Sequence, residues 1–276
     1  MFNMARKSGE SSVRPSIMER VAPILVVLSI GLAFMTGVLW QKVSNLEKGG
    51  GGGTTTAGTQ QAPAQEVDLD TIKGLFDKDL IKFGDANRKV LFVEVLDPSC
   101  PYCHVAGGHD PELAARIDTQ TNRFKYVSDG GDYKPPVPEM KKLVDEGKAS
   151  IAFIYFPGHA NGEMGMKALY CAHDQGKFWE AHDLLMSEAG YTLMNEKVLN
   201  DASKSQDVAD FLKGTVDTAS LKSCLDSGKY DARLGEEESL AASLSTTGTP
   251  GFFINAGRYP GAYSWDDIVS AVEKAL

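Results

Sequence analysis

The chain has 276 residues, of which 42% are hydrophobic and 24% charged, a balance that excludes a disordered or fibrous protein. Its 37 acidic against 28 basic side chains leave a net charge of -9, which argues against nucleic acid as a partner, because a phosphate backbone calls for a basic face. Four cysteines are too few for a small disulfide scaffold, so their positions matter more than their number.

Residues 1–20 carry Arg6, Lys7, Arg14 and Arg20 against Glu10 and Glu19, and residues 21–40 carry no charge. A helix over 21–40 would be about 30 Å long, the thickness of a bilayer's hydrocarbon core. The sequence thus predicts one N-terminal transmembrane helix. The basic surplus before it keeps the N-terminus in the cytoplasm and places everything after residue 40 outside. A cleaved signal peptide is the competing reading, but Leu39-Trp40-Gln41-Lys42 offers no small-x-small site. Ala33 and Gly37 form a small-xxx-small pair that reads more simply as part of a lipid-facing helix than as a dimer seam. Residues 41–66, with five consecutive glycines at 49–53 and a Thr/Gln/Ala/Pro tract, read as a flexible spacer. The folded part is then 67–276, with no internal repeat.

Within it, 80–83 reads as a short strand and 90–96 (VLFVEVL) as a strand buried on both faces. Asp97-Pro98-Ser99 ends that strand, and Cys100-Pro101-Tyr102-Cys103 opens a helix with proline in its first turn. Gly107-Gly108 breaks the helix, and Asp110-Pro111-Glu112 restarts it with a cap, an N1 proline and an acidic first turn. Residues 150–156 (SIAFIYF) form another buried strand, and 162–244 is a helical block. A strand at 251–255, a hairpin partner at 258–263 and a C-terminal helix capped by Ser264-x-x-Asp267 complete the chain.

With Glu94 six positions and Asp97 three positions before a CPYC motif, this order resembles the thioredoxin superfamily, and within it the DsbA-like thiol:disulfide oxidoreductases of bacterial envelopes. Cys171-Ala172, Gln175-Gly-Lys-Phe-Trp179 and Ser223-Cys-Leu-Asp-Ser-Gly-Lys229 are similar to that family's helical insertion, and Gly248-Thr-Pro-Gly-Phe-Phe-Ile-Asn255 to its cis-proline loop. The resemblance covers about 80–276. It implies an α/β thioredoxin-like fold with a helical insertion at about 162–244, disulfide exchange with cysteine-containing proteins, and a quinone-linked membrane partner that re-oxidises the cysteine pair. The stretch 119–149 is longer than the family usually places there, and the Gly107-Gly108 break is unusual.

The chemistry also follows from the residues. A cysteine at a helix N-terminus has its thiolate favoured by unpaired N–H groups, which makes Cys100 the attacking sulfur and Cys103 the resolving one. The redox-active disulfide is itself the reactive group, and neither a cofactor nor a metal is expected. Pro101 and Tyr102 set the surroundings of the Cys100 sulfur. Three other readings of the motif compete: c-type haem attachment through Cys100-Pro-Tyr-Cys103-His104, a zinc site, and an inert disulfide clip. Glu94 is a carboxylate inside an apolar strand; it either exchanges a proton with Cys103 or reaches an edge and pairs with a lysine. Pro250, if cis, brings the Thr249 backbone beside Cys100, where an extended substrate pairs as an added strand; a plain turn proline is the alternative. His104 reads as a solvated helix residue. His109, His159, His173 and His182 show no ligand spacing. Cys171 and Cys224 lie in separate helical stretches and in an oxidising compartment can pair, with two buried free thiols as the alternative.

The function expected is an extracytoplasmic, membrane-tethered dithiol oxidase. A reductase or isomerase of the same fold is the nearest alternative, and a polypeptide-binding chaperone that keeps the fold without the chemistry is the alternative of another class.

Overall fold

The computed structural model describes residues 65–276. The charge-free run at 21–40, its Ala33/Gly37 pair and the spacer up to residue 64 lie outside the described residues. Among the described residues no helix is long and apolar enough to cross a membrane.

The two continuous apolar runs form the centre of one mixed sheet. Strands β3 (Val90–Leu96) and β4 (Ala149–Tyr155) pair in parallel, Val90 opposite Ala149 and Leu96 opposite Tyr155. Every residue of both is buried, as expected of strands covered on both faces. Strand β5 (Gly251–Ile254) lies antiparallel on the other side of β3 and continues through a hairpin into β6 (Gly257–Pro260). Strand β2 (Ile81–Phe83) closes the opposite edge against β4. A short β1 (Gln65–Glu66) pairs with Arg258 and Gly257, so the order is β1-β6-β5-β3-β4-β2. Gln65 and Glu66, read from the sequence as the end of the spacer, form this strand; a two-residue ladder uses backbone groups only and leaves no side-chain signal.

Period two sorts the sheet residues between two cores. Leu91, Val93, Val95, Ala152, Ile154 and Phe253 face helix α1 (Leu69–Leu75) and the end of α10 (Asp231–Ser243). Phe92, Leu96, Phe153, Tyr155 and Phe252 face the larger core, which also holds both CPYC cysteines. Glu94 shares the register of Phe92 and Leu96, which puts its carboxylate on the cysteine side.

The cysteine-bearing helix α2 (Pro101–Gly107) ends on left-handed Gly108, and α3 (Pro111–Ile117) starts where Asp110 accepts the Leu113 N–H at 2.9 Å. The long stretch at 119–149 contains a turn at Val127–Asp129 and helix α4 (Pro136–Asp145), begun by the proline run. Its aromatic residues brace α2. The Tyr126 hydroxyl donates to the Val105 carbonyl at 3.1 Å, Tyr126 stacks on Tyr133, and the Tyr133 hydroxyl donates to the Tyr263 carbonyl.

The insertion comprises α5 (Glu163–Asp174), α6 (Phe178–Leu185), α7 (Glu188–Thr192), a π-helix (Leu193–Val198), α8 (Ser205–Phe211), α9 (Thr218–Asp226) and α10. A disulfide between Cys171 and Cys224 joins α5 to α9. Glu237 of α10 is buried, accepts the Tyr155 N–H at 2.7 Å and pairs with Arg233, which locks the insertion to β4. The last strand stops at Pro260, short of the expected Tyr263. Helix α11 (Trp265–Ala275) then begins on the Ser264/Asp267 capping box.

Candidate active site

The reactive turn is shaped by the residues just before it. Asp97 is buried; one carboxylate oxygen accepts the N–H and hydroxyl of Ser99 at 2.8 and 2.7 Å, and the other accepts the His159 N–H at 2.6 Å. The Cys100 N–H returns to the Asp97 carbonyl at 2.9 Å. This bend delivers Cys100 as the N-cap of α2 with no side-chain cap of its own, so the orphan donors of the first turn face its sulfur.

Both sulfurs are free thiols and both are buried. Their electrostatics differ. Burial works to raise the Cys100 pKa, but the polar groups of Cys103 and Thr249 around its sulfur, with the charge of His159, outweigh it and bring it down to about 7. Burial first, then the neighbouring Cys100 sulfur and the Glu94 carboxylate, push Cys103 well above its usual range. One sulfur is primed to attack and the other to hold its proton.

Glu94 reaches no lysine. It sits in the central strand between Phe153 and Phe252, 1% exposed, with Oε2 unpartnered, and burial raises its pKa to about 8. It is thus poised to bind or release a proton near neutrality on the face it shares with Cys103.

On the opposite side of the sulfur the Thr249-Pro250 peptide is cis, and the Cys100 thiol donates to the Thr249 carbonyl at 3.2 Å. A cavity of about 250 Å³ adjoins this loop, lined by Thr249, Pro250, Gly251 and Gly261 among others. Pro101 occupies the first turn of α2. Tyr102 projects outward, 38% exposed, with its ring edge-on to Phe124 at 5.6 Å. The structure thus gathers Cys100, Cys103, Glu94, Thr249, Pro250, Pro101 and Tyr102 at one end of β3, while Cys171 and Cys224 are bonded to each other within the insertion.

His104 corrects the sequence reading. It is fully buried, not solvated: its Nε2 meets the Pro98 carbonyl at 3.0 Å and its ring packs edge-on against Tyr191. The bend at Asp97-Pro98 doubles the chain back under α2 and covers that face, which a helical wheel alone does not register. Turned inward, the ring is not offered as a ligand to haem iron. Among the described residues no group of three His, Cys, Asp or Glu side chains is placed to hold a metal ion.

The loop after β4, which carries no recognised motif, also shapes the reactive turn. A Cβ on Gly158 would collide with the Thr249 hydroxyl, and one on Gly162 with an Asp97 carboxylate oxygen. Glycine is what lets this loop close over the turn. His159, between them, supplies both an N–H to Asp97 and charge to Cys100. The pairing of two glycines around a histidine just after a buried strand was the available signal.

Comparisons with known proteins point the same way. Residues 138–274 match a family model described as thioredoxin. A protein of Salinispora tropica named as an Na(+)/H(+) antiporter is 25% identical over 204 residues, covering 72% of this chain and 25% of that protein. A Rickettsia felis protein named as a protein-disulfide oxidoreductase is 27% identical over 207 residues, covering 72% of this chain and 61% of that protein. The chain therefore spans only part of these relatives. Among solved structures, oxidised BdbD of Bacillus subtilis superposes with a TM-score of 0.51 at 17% identity, covering 78% of this chain and 98% of that one. Alpha-DsbA1 of Wolbachia pipientis gives 0.52 at 18% identity, covering 71% and 90%. At such identities the structural likeness speaks for the fold alone. Fold, family match and structural neighbours agree on a thioredoxin-like fold, with residues 138–274 similar to the thioredoxin family model.

Proposed function

We propose that this chain is a protein-disulfide oxidoreductase acting outside the cytoplasmic membrane on cysteine-containing polypeptides. The observation that carries the reading is the asymmetry of the cysteine pair, with Cys100 held down to about 7 beside the Thr249 carbonyl and Cys103 pushed up beside Glu94. In the oxidising direction a substrate thiolate attacks the Cys100 sulfur and the Cys100–Cys103 bond breaks. Cys103 leaves as a thiolate and takes a proton that Glu94 supplies. A second substrate thiolate then attacks the substrate sulfur of the mixed disulfide and expels Cys100 as a thiolate. The substrate loses two electrons and the pair gains them; a quinone-linked membrane partner restores the disulfide. Thr249 and Pro250 present backbone groups to an extended substrate, and Pro101 and Tyr102 border the sulfur.

A lowered Cys100 pKa stabilises the reduced form and so favours the oxidase over the reductase or isomerase. Equilibration of the full chain with glutathione buffers tests the direction. A potential near about -120 mV means oxidase and one near about -270 mV means reductase, on the scale set by known thioredoxin-fold proteins. Replacing Cys100 by Ser separates an exchange enzyme, which loses activity, from a chaperone, which keeps it. The charge-free run at 21–40 supports a single-pass anchor with the catalytic domain outside; resistance to alkaline carbonate extraction is the expected behaviour.

A further inference from the structure

The mechanism leaves unused a fully buried histidine one turn into the cysteine-bearing helix, on a side where two backbone carbonyls precede the reactive sulfur. We propose that His104 is a positioning residue for the Cys100 thiolate, acting through the Pro98 carbonyl and seconded by Asn195 acting through the Ser99 carbonyl. The inference rests on the thiol-exchange reading of the same site and adds to it what holds the turn.

The geometry is specific. His104 and Asp110 have no exposed side-chain surface. The His104 Nε2 lies 3.0 Å from the Pro98 oxygen, which fixes the tautomer: Nε2 carries the hydrogen and donates, and Nδ1 is left with its lone pair. That Nδ1 has no hydrogen-bond partner and faces Asp110 Oδ2, also unpartnered, at 3.8 Å. Burial raises the Asp110 pKa and lowers that of His104 to about 4, so the ring stays neutral and the donation to Pro98 persists across the working pH range. Asp110, His182 and Tyr191, with the Met186 and Ser187 carbonyls, face the ring from the N-cap of α3, from α6 and α7 and from the turn between those two helices. From the other side the Asn195 Nδ2 donates to the Ser99 carbonyl at 3.1 Å and to the Tyr191 carbonyl at 3.1 Å, and its Oδ1 accepts from Asn161. Asn195 projects from the π-helix, a backbone form that often marks functional positions.

The carbonyls of Pro98 and Ser99 are therefore each held by a side chain from outside the turn. Without those donors the bend is free to rotate, and the first-turn N–H groups no longer stay aimed at the Cys100 sulfur. A purely packing role for His104 would be met by any apolar residue of similar volume; a positioning role requires a donor at Nε2.

The test is the pH dependence of Cys100 alkylation by iodoacetamide in the reduced full chain carrying Cys103→Ser, a readout that needs no disulfide exchange and so stands or falls apart from the proposed activity. His104→Leu is expected to raise the Cys100 pKa enough to slow alkylation at pH 7 about threefold to fivefold. His104→Gln, which keeps an amide donor near Nε2, is expected to stay within about twofold of the parent. Asn195→Ala is expected to shift the profile in the same direction as His104→Leu, by less. If His104→Leu does not fold, a parent-like His104→Gln together with a shifted Asn195→Ala supports the proposal. A folded His104→Leu with the parent profile overturns it, as does an Asn195→Ala profile identical to the parent when His104→Leu is unfolded.

Discussion

The Cys100 sulfur lies 3.2 Å from the carbonyl oxygen of Thr249, 149 residues away in sequence, and this contact joins the two halves of the reaction centre. One half, at the end of β3, provides the sulfur and the helix donors. The other, at the start of β5, provides the backbone along which an extended polypeptide aligns. Because β3 and β5 are paired neighbours, the sheet itself sets that separation, and loops have little say in it.

The Thr249 hydroxyl has a direct test. It touches the loop after β4, where Gly158 leaves room for it. Gly158→Ala is expected to displace Thr249 from Cys100, raise the Cys100 pKa and slow disulfide exchange severalfold, with the fold retained by circular dichroism.

Glu94 makes stability depend on pH. Its pKa is about 8 in the folded chain against 4.5 for a free glutamate, so the folded state holds a proton that the unfolded state has released. Its effect on stability is therefore absent below pH 4.5, grows unfavourable as the pH rises from 4.5 towards 8, and levels off above. Glu94→Gln should stabilise the reduced protein by about 3 kcal/mol at pH 7 and by little at pH 4, as read from denaturant unfolding. It should also slow the release and closure of Cys103.

Cys100 has the opposite sign. Its pKa is lowered from 9.0 to about 7, so the thiolate adds stability that is fully present above pH 9 and lost as the pH falls through 7. The reduced form should gain roughly 2–3 kcal/mol relative to the disulfide form between pH 7 and 9. Comparing unfolding of the two forms across that range checks it, and Cys100→Ser, which has no thiolate there, should lose the gain in stability between pH 7 and 9.

The second cysteine pair should matter for stability and not for chemistry. The Cys171–Cys224 bridge closes a separation of 53 residues, which corresponds to about 4 kcal/mol in the chain-entropy view. Replacing both by Ala should lower the melting temperature by about 10 °C while leaving the Cys100 alkylation profile unchanged.

Much of this arrangement was legible in the sequence. The two buried strands announced themselves as unbroken apolar runs, and the helix bearing the cysteines was bounded by its own punctuation at Pro101 and Gly108. Glu94 stood out because a carboxylate in such a run needs a reason. What stayed hidden depended on tertiary contact. His104 looked solvated because the chain that covers it comes from Pro98, Asp110 and Tyr191, which no local period brings together. Gly158, Asp97 and Asn195 act on the turn only after β4 and the insertion have packed against it. The pairing of Gln65–Glu66 with β6 rests on backbone alone.

Trapping distinguishes Cys100 as the attacking sulfur from Cys103 as the resolving one. The full chain carrying Cys103→Ala is mixed with a peptide containing a disulfide, quenched, and mapped by mass spectrometry under non-reducing conditions. A stable mixed disulfide on Cys100, absent when Cys100→Ala is used with Cys103 intact, is the predicted result. Adducts on Cys103 with Cys100 unmodified, or exchange that survives the loss of Cys100, would contradict it.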